Sequence, residues 1–203
     1  MIDFSPQQLV LRFCALLFIA GVHGLAVAAT AVALGDPGPR QDGRLTLSPL
    51  AHLDILGGIS AVLFSVGWIK PIAIDPAKLR PGRAGLALVV IAGAVATILS
   101  ALALRLVRPM ILPLLPDTAS AAAFALIETT GRLSLWFALV NVLPVPCLTG
   151  SHLLVIVMPQ WRDAIRKLQL FAAVLLVVLA ATGLITGLLA PIHRVLAGPI
   201  LGD

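Results

Sequence analysis

The chain has no tyrosine, two cysteines and only 11% charged residues, with Glu128 as its single glutamate. A soluble domain carries about 25% charged residues, so too few are present here to dress an ordinary aqueous surface. Two cysteines, Cys14 and Cys147, both in or beside apolar stretches, exclude a disulfide framework and read as buried free thiols. Paired intramembrane carboxylates are also missing, which speaks against an ion-coupled transporter. The net charge of +5 would suggest nucleic acid in a soluble protein. No basic stripe interleaved with aromatics accompanies it, so nucleic-acid binding is excluded as a reading.

What remains is apolar. The 203 residues are 60% hydrophobic, mean hydropathy is +1.07, and several runs approach or exceed the roughly 18 apolar residues of a spanning helix. The expected fold is all-α, a polytopic integral membrane protein with one transmembrane domain over residues 1–203 and five spans, or six. The first span is read at Leu9–Leu34, ended by Gly35-Asp36-Pro37-Gly38-Pro39, and the second at Leu53–Ile69. Leu45-Thr46-Leu47 between them reads as a short extended edge. A third span is expected at Ala84–Val107, followed by a short interfacial piece around Pro109, Pro113 and Pro116. A fourth lies within Ala119–Met158, mainly Arg132–Val145, and a C-terminal span at about Leu168–Ala190. The first run is too long for a signal peptide, and its head carries Asp3 with one basic residue, Arg12; it reads as retained.

Five spans with the N-terminus inside would collect Arg12, Lys70, Lys78, Arg80, Arg83, Arg162, Arg166 and Lys167 on the cytoplasmic side. The other side would hold Arg40, Arg44, Arg105, Arg108, Arg132 and Arg194, a weak positive-inside bias. Trp68 and Trp161, at span ends, read as interfacial aromatics. Arg162, Arg166 and Lys167 beside Trp161 read as a turn touching anionic headgroups. Gly183-x-x-x-Gly187 permits close helix approach.

Four segments in order resemble the site-2 protease family, zinc proteases that cut transmembrane helices within the bilayer. His23 is followed by Leu34-Gly35-Asp36-Pro37, similar to the family's metal helix and its Leu-Gly-Asp end. Gly43-Arg44-Leu45-Thr46-Leu47-Ser48-Pro49 with His52-Leu53-Asp54 resembles Gly-Arg-Leu-Thr-Leu-Asn-Pro…His-x-Asp. Gly67-Trp68-Ile69-Lys70-Pro71 with Asp75-Pro76 resembles Gly-Trp-x-Lys-Pro…Asn-Pro. Asn141-Val142-Leu143-Pro144-Val145-Pro146-Cys147-Leu148-Thr149-Gly150 resembles Asn-x-x-Pro-x-Pro-x-x-Asp-Gly. The likeness covers about residues 15–155 and implies a site-2-protease-like bundle.

The family's chemistry uses two histidines at i and i+4 on one helical face, a glutamate between them to activate water, and a distant aspartate as third ligand. Carried over by position, only His23 survives. Gly24 stands for the base, Val27 for the second histidine and Thr149 for the aspartate. The family's Ala-Gly-Pro-x-x-Asn reads Ala92-Gly93-Ala94-Val95-Ala96-Thr97. A full structural zinc site is worth about 10–16 kcal/mol, most of which one imidazole cannot supply. A positioned general base alone contributes about 10²–10⁴-fold, and Glu128 lies over a hundred residues from His23.

The resemblance therefore implies a catalytically inactive homologue: no catalytic residues, no metal and no cofactor. It would work as a binding, regulatory or accessory subunit among the transmembrane helices of another membrane complex and its lipids, in a bacterial inner membrane. The alternative is an active protease whose zinc is held by a rearranged set drawn from His23, Cys147 and His152. Arg44, His52, Asp54, Trp68, Lys70, Asn141 and Pro144 are read as structural: Arg44, His52 and Asp54 would organise the connection beside the first helix by hydrogen bonds and an ion pair. Asn141 and Pro144 mark either an unwound backbone segment or a plain helix kink.

Overall fold

The structure, a computed structural model, describes residues 4–201 and is all-α. The first apolar run forms α1 (Pro6–Ala33), with Pro6 in its first turn and the Ser5 hydroxyl accepting from the Gln8 amide. Next come the short α2 (Gly38–Gln41), α3 (Pro49–His52) and α4 (Ile55–Phe64), and then the long α5 (Ala84–Ile111). After α5 follow α6 (Asp117–Val142), α7 (Ser151–Val157), α8 (Arg162–Ala181) and α9 (Leu184–Leu201). Five helical segments are long and apolar enough to cross a membrane: residues 6–33, 84–114, 117–142, 159–181 and 184–201. The chain is an integral membrane protein with a polytopic helical architecture.

The five are not the five that hydropathy suggests. The expected second span at Leu53–Ile69 is a ten-residue helix, α4, followed by extended chain. At 1.5 Å per residue α4 is about 15 Å long, half of a hydrocarbon core of about 30 Å. Instead of crossing, residues 34–83 enter the bundle and return on the side they left. The Arg80 amide donates to the carbonyl of Leu34, and the Asp75 amide to the Asp36 carboxylate at 2.7 Å, closing the loop where α1 ends. In between, Leu47 lies against Gly21, and Arg12 near the start of α1 donates to the carbonyls of Val62 and Leu63 at the end of α4. A re-entrant segment is tolerated in a bilayer only where protein satisfies its backbone. Here Leu53 and Ile69 pair as an antiparallel bridge and the Lys70 amide donates to His52 O. Leu45–Leu47 lies in no strand, so the expected extended edge is not formed there.

Re-entry changes the sidedness. Residues 34–43, 75–83 and 158–167 share one end of the bundle, whereas the start of α1 lies at the other end with Arg105, Arg108 and Arg132. That second end is joined by Arg108–Glu128 pairing and by Arg105 donating to Pro199 O. The eight-to-six division above, which needed a crossing at 53–69, is overturned. At the C-terminus, Gly183 at φ +75° ends α8 and starts α9, so the single span expected at 168–190 is two helices. The fourth span begins at Asp117, not Arg132. The piece around Pro109–Pro116 continues α5 and a short 3₁₀ turn instead of forming a separate interfacial element.

α1, α5 and α6 pack mutually and form the centre. In lipid, helix association rests on close packing and interhelical hydrogen bonds, because lipid tails are as apolar as leucine. Small residues accordingly line the contacts: Ala20, Ala28 and Ala31 of α1 and Ala94 of α5 are buried, among Leu16, Ile19, Val89 and Phe137.

Candidate functional site

His23 sits in the middle of this three-helix contact, fully buried. Its Nδ1 lies 3.0 Å from Thr97 Oγ1 of α5, and its Nε2 lies 3.0 Å from Thr149 Oγ1 in the loop between α6 and α7. Phe137 of α6 meets the ring edge-on at 5.3 Å. Hydrogen-bond counting fixes the roles for a neutral ring. Thr97 spends its one hydroxyl proton on Gly93 O at 2.8 Å, so it can only accept from His23, and Nδ1 carries the proton. Nε2 then offers a lone pair, and the Thr149 hydroxyl donates to it; Asn141 Oδ1, at 3.5 Å, is the poorer acceptor. The nitrogen that a metal would need is thus capped by a hydroxyl.

The two flanking losses are packed over. At Gly24 a Cβ would collide with the imidazole of His52, which fills the room a glutamate side chain would require. Val27 is buried against α5, where a Cβ on Gly93 would come within 2.7 Å of its methyl group and 2.9 Å of the His23 ring. Thr97, at the asparagine position of the departed family stretch, is a hydrogen-bond partner of His23 that the sequence motifs do not single out as a site residue. The departure Ala92–Thr97 was its signal.

The remaining motif residues form the frame. Asp54 caps α4, accepting from the Gly57 amide at 2.8 Å. Arg44 donates to Ala51 O, so it is braced by a carbonyl in place of the expected ion pair with Asp54. His52 Nε2 donates to Thr46 O at 2.9 Å, leaving Nδ1 buried and without a hydrogen-bond partner beside Gly24. Trp68 is 2% exposed and packs over Gly57, a core residue and not an interfacial one, whereas Trp161 is 54% exposed at the start of α8. Lys70 is exposed. Asn141 ties the end of α6 to the re-entrant segment: its amide donates to Gly67 O and Phe137 O, both at 2.9 Å. Beyond it residues 143–150, including Pro144, are non-helical, so the pair marks an unwound segment and not a kink.

These residues do not fit a zinc ion. A catalytic zinc takes three protein ligands and keeps one position open. His23 supplies one nitrogen, already engaged, Gly24 and Val27 supply nothing, and Thr149 presents a neutral hydroxyl. His23, Cys147 and His152 are not gathered into one set. Cys147 packs in a separate cluster with Val66 and Trp68, and His152 lines a cavity with Ile72. Among the described residues no three His, Cys, Asp or Glu side chains come together as a metal-holding group.

A Bacillus subtilis protein described as "Putative zinc metalloprotease YwhC" is 29% identical over 167 residues, which span 80% of this chain and 76% of that protein. No family model matches the chain. No solved structure matches it either. With the four motif segments in order, this similarity supports the resemblance of the chain to site-2 proteases, of which it would be a divergent relative.

Proposed function

We propose that the protein is a catalytically inactive member of this group, acting by binding within the bilayer as a regulatory or accessory subunit of a larger membrane complex. One observation carries the reading: the sole surviving ligand, His23, is saturated by two threonine hydroxyls, with Gly24 and Val27 closed over by His52 and Gly93. No carboxylate is left beside it to ionise a water molecule, and its polar contacts hold helices together instead. The partner is a transmembrane helix of another protein, in a bacterial inner membrane. The unwound segment 143–150, with residues 66–75 tied to it through Asn141, is the surface that would hold it.

Metal analysis and a cleavage assay on the purified protein test this. Less than a tenth of an equivalent of zinc is expected, on the order of what a single imidazole retains, with no cleavage of a membrane-helix reporter. Stoichiometric zinc, lost together with cleavage in His23→Ala, overturns it. The second reading, an active protease with a rebuilt metal site, draws on the unpartnered Nδ1 of His52. It predicts that His52→Ala removes both zinc and cleavage.

A further inference from the structure

A cavity of about 270 Å³ opens at the end of the bundle that carries residues 34–43, close to the small end of the range of roughly 300–1,000 Å³ typical of ligand pockets. Its floor is Val27, Leu148 and Thr149, so it begins where the metal would stand in an active relative. One wall is the extended stretch from Ile69 to Ile74. The facing wall is a single stripe of α8, in which Arg162, Ile165, Arg166 and Gln169 recur at helical spacing. The lining is graded. Apolar groups (Ile72, Leu86, Val155) stand deep beside the polar Thr149, Ser151 and His152, and two guanidiniums and an amide stand at the mouth, beside the exposed Trp161.

Acidic groups answer only one of the cations. Arg162 lies 3.9 Å from Asp75 and donates to Ile74 O at 3.2 Å, which holds it across the mouth. Asp163 is the remaining acid on this turn of α8 and does not line the cavity. Arg166 has an exposed side chain and no ion pair with either acid. A slot with an apolar wall along one side and cations at its mouth suits a molecule with the same gradient.

We propose that this cavity holds one anionic amphiphile, an acyl chain with a phosphate or carboxylate head. The head sits on Arg166 and Gln169, and the chain passes between Ile72 and Val155 toward Val27. The inference rests on the reading above that the cleft no longer cuts peptide, since a chain lying there would block a substrate strand.

The test is native mass spectrometry of the full chain in a non-ionic detergent, titrated separately with lysophosphatidylglycerol, lysophosphatidylcholine, palmitate, inorganic phosphate and an acidic peptide. One equivalent of lysophosphatidylglycerol or palmitate is expected, bound at least about tenfold more tightly than lysophosphatidylcholine. Arg166→Gln should weaken it about tenfold, the worth of one charge-assisted hydrogen bond. Val155→Trp, which fills the slot and leaves every charge in place, should abolish it, while Arg40→Gln on the same end should change nothing. Equal binding of lysophosphatidylcholine, or indifference to both cavity variants, would make the association a surface lipid annulus and overturn the proposal. So would inorganic phosphate binding as tightly as the amphiphiles, or the acidic peptide displacing them. Neither result depends on the zinc or cleavage assays, so this proposal and the inactive-protease reading fail separately.

Discussion

At the scale of single residues the protein is defined by substitutions that fit one another. Glycine at position 24 admits the His52 ring, and threonines at 97 and 149 satisfy both nitrogens of His23. Restoring one family residue alone should therefore do harm. Gly24→Glu forces the His52 imidazole out of its place, and should lower stability by at least the roughly 1–3 kcal/mol of an overpacked core, read as a fall in the thermal midpoint in detergent. His23→Ala leaves a cavity and removes one bond from each threonine, and should cost about 2–4 kcal/mol by the same measurement. Val27→His with Thr149→Asp, by contrast, places two ligands around Nε2 of His23, and should raise zinc uptake to near one equivalent by elemental analysis. The losses at 24, 27 and 149 were legible in the sequence because the segments around them are preserved. The hydrogen bonds around His23 were not, because which hydroxyl faces an imidazole depends on three helices meeting. Trp68 was misread for a related reason: its position at the end of an apolar run suggested an interface, and only the re-entrant path takes it inside.

At the scale of elements the informative piece is the 34–83 insertion. Hydropathy counts apolar residues but does not see backbone path, so a ten-residue helix and an extended return strand summed to an apparent span. The signal was slight: Gly67 within the 17-residue run and Pro71 just past it, with the helix itself ending at Ser65 in a left-handed conformation. The insertion hangs on a few side-chain bonds, which makes each one measurable. Asp36 accepts from the Gly38 amide at 3.0 Å and the Asp75 amide at 2.7 Å, so Asp36→Ala leaves two buried donors short and should destabilise by about 2–4 kcal/mol. Asp54→Ala removes only the α4 cap and should cost about 1 kcal/mol. Chemical-denaturant midpoints rank the two, and a larger effect at Asp54 would contradict this account of the loop closure.

At the scale of the whole molecule, both ends of the insertion lie on one face of the membrane, and that redistributes the charge. Arg40, Lys78, Arg80, Arg83, Arg162, Arg166 and Lys167 gather at the end where α1 finishes. Arg12, Arg105, Arg108, Arg132 and Arg194 lie elsewhere, and Arg44 and Lys70, within the re-entrant segment, are counted to neither side. Seven against five favours the first end as cytoplasmic, with the N-terminus outside. A cysteine introduced at Gln41, on a background with Cys14 and Cys147 replaced by alanine, should be protected from a membrane-impermeant maleimide in intact cells, and one at Ser5 should react. The reverse pattern would return the chain to the orientation suggested by hydropathy. Fold class and the number of spans were readable from composition. Sidedness was not, because one misplaced crossing inverts every loop after it.

The bond from Asn141 to Gly67 joins residues 74 positions apart. A ribosome that has delivered the insertion has not yet made the helix that secures it, and a stretch too short to cross cannot be handed to lipid as a finished hairpin. Its contacts with α1 can form at once, but the bond to Asn141 must wait for α6. Substitution of that asparagine should be felt first as lost yield in the membrane, before any change in the surviving folded molecules.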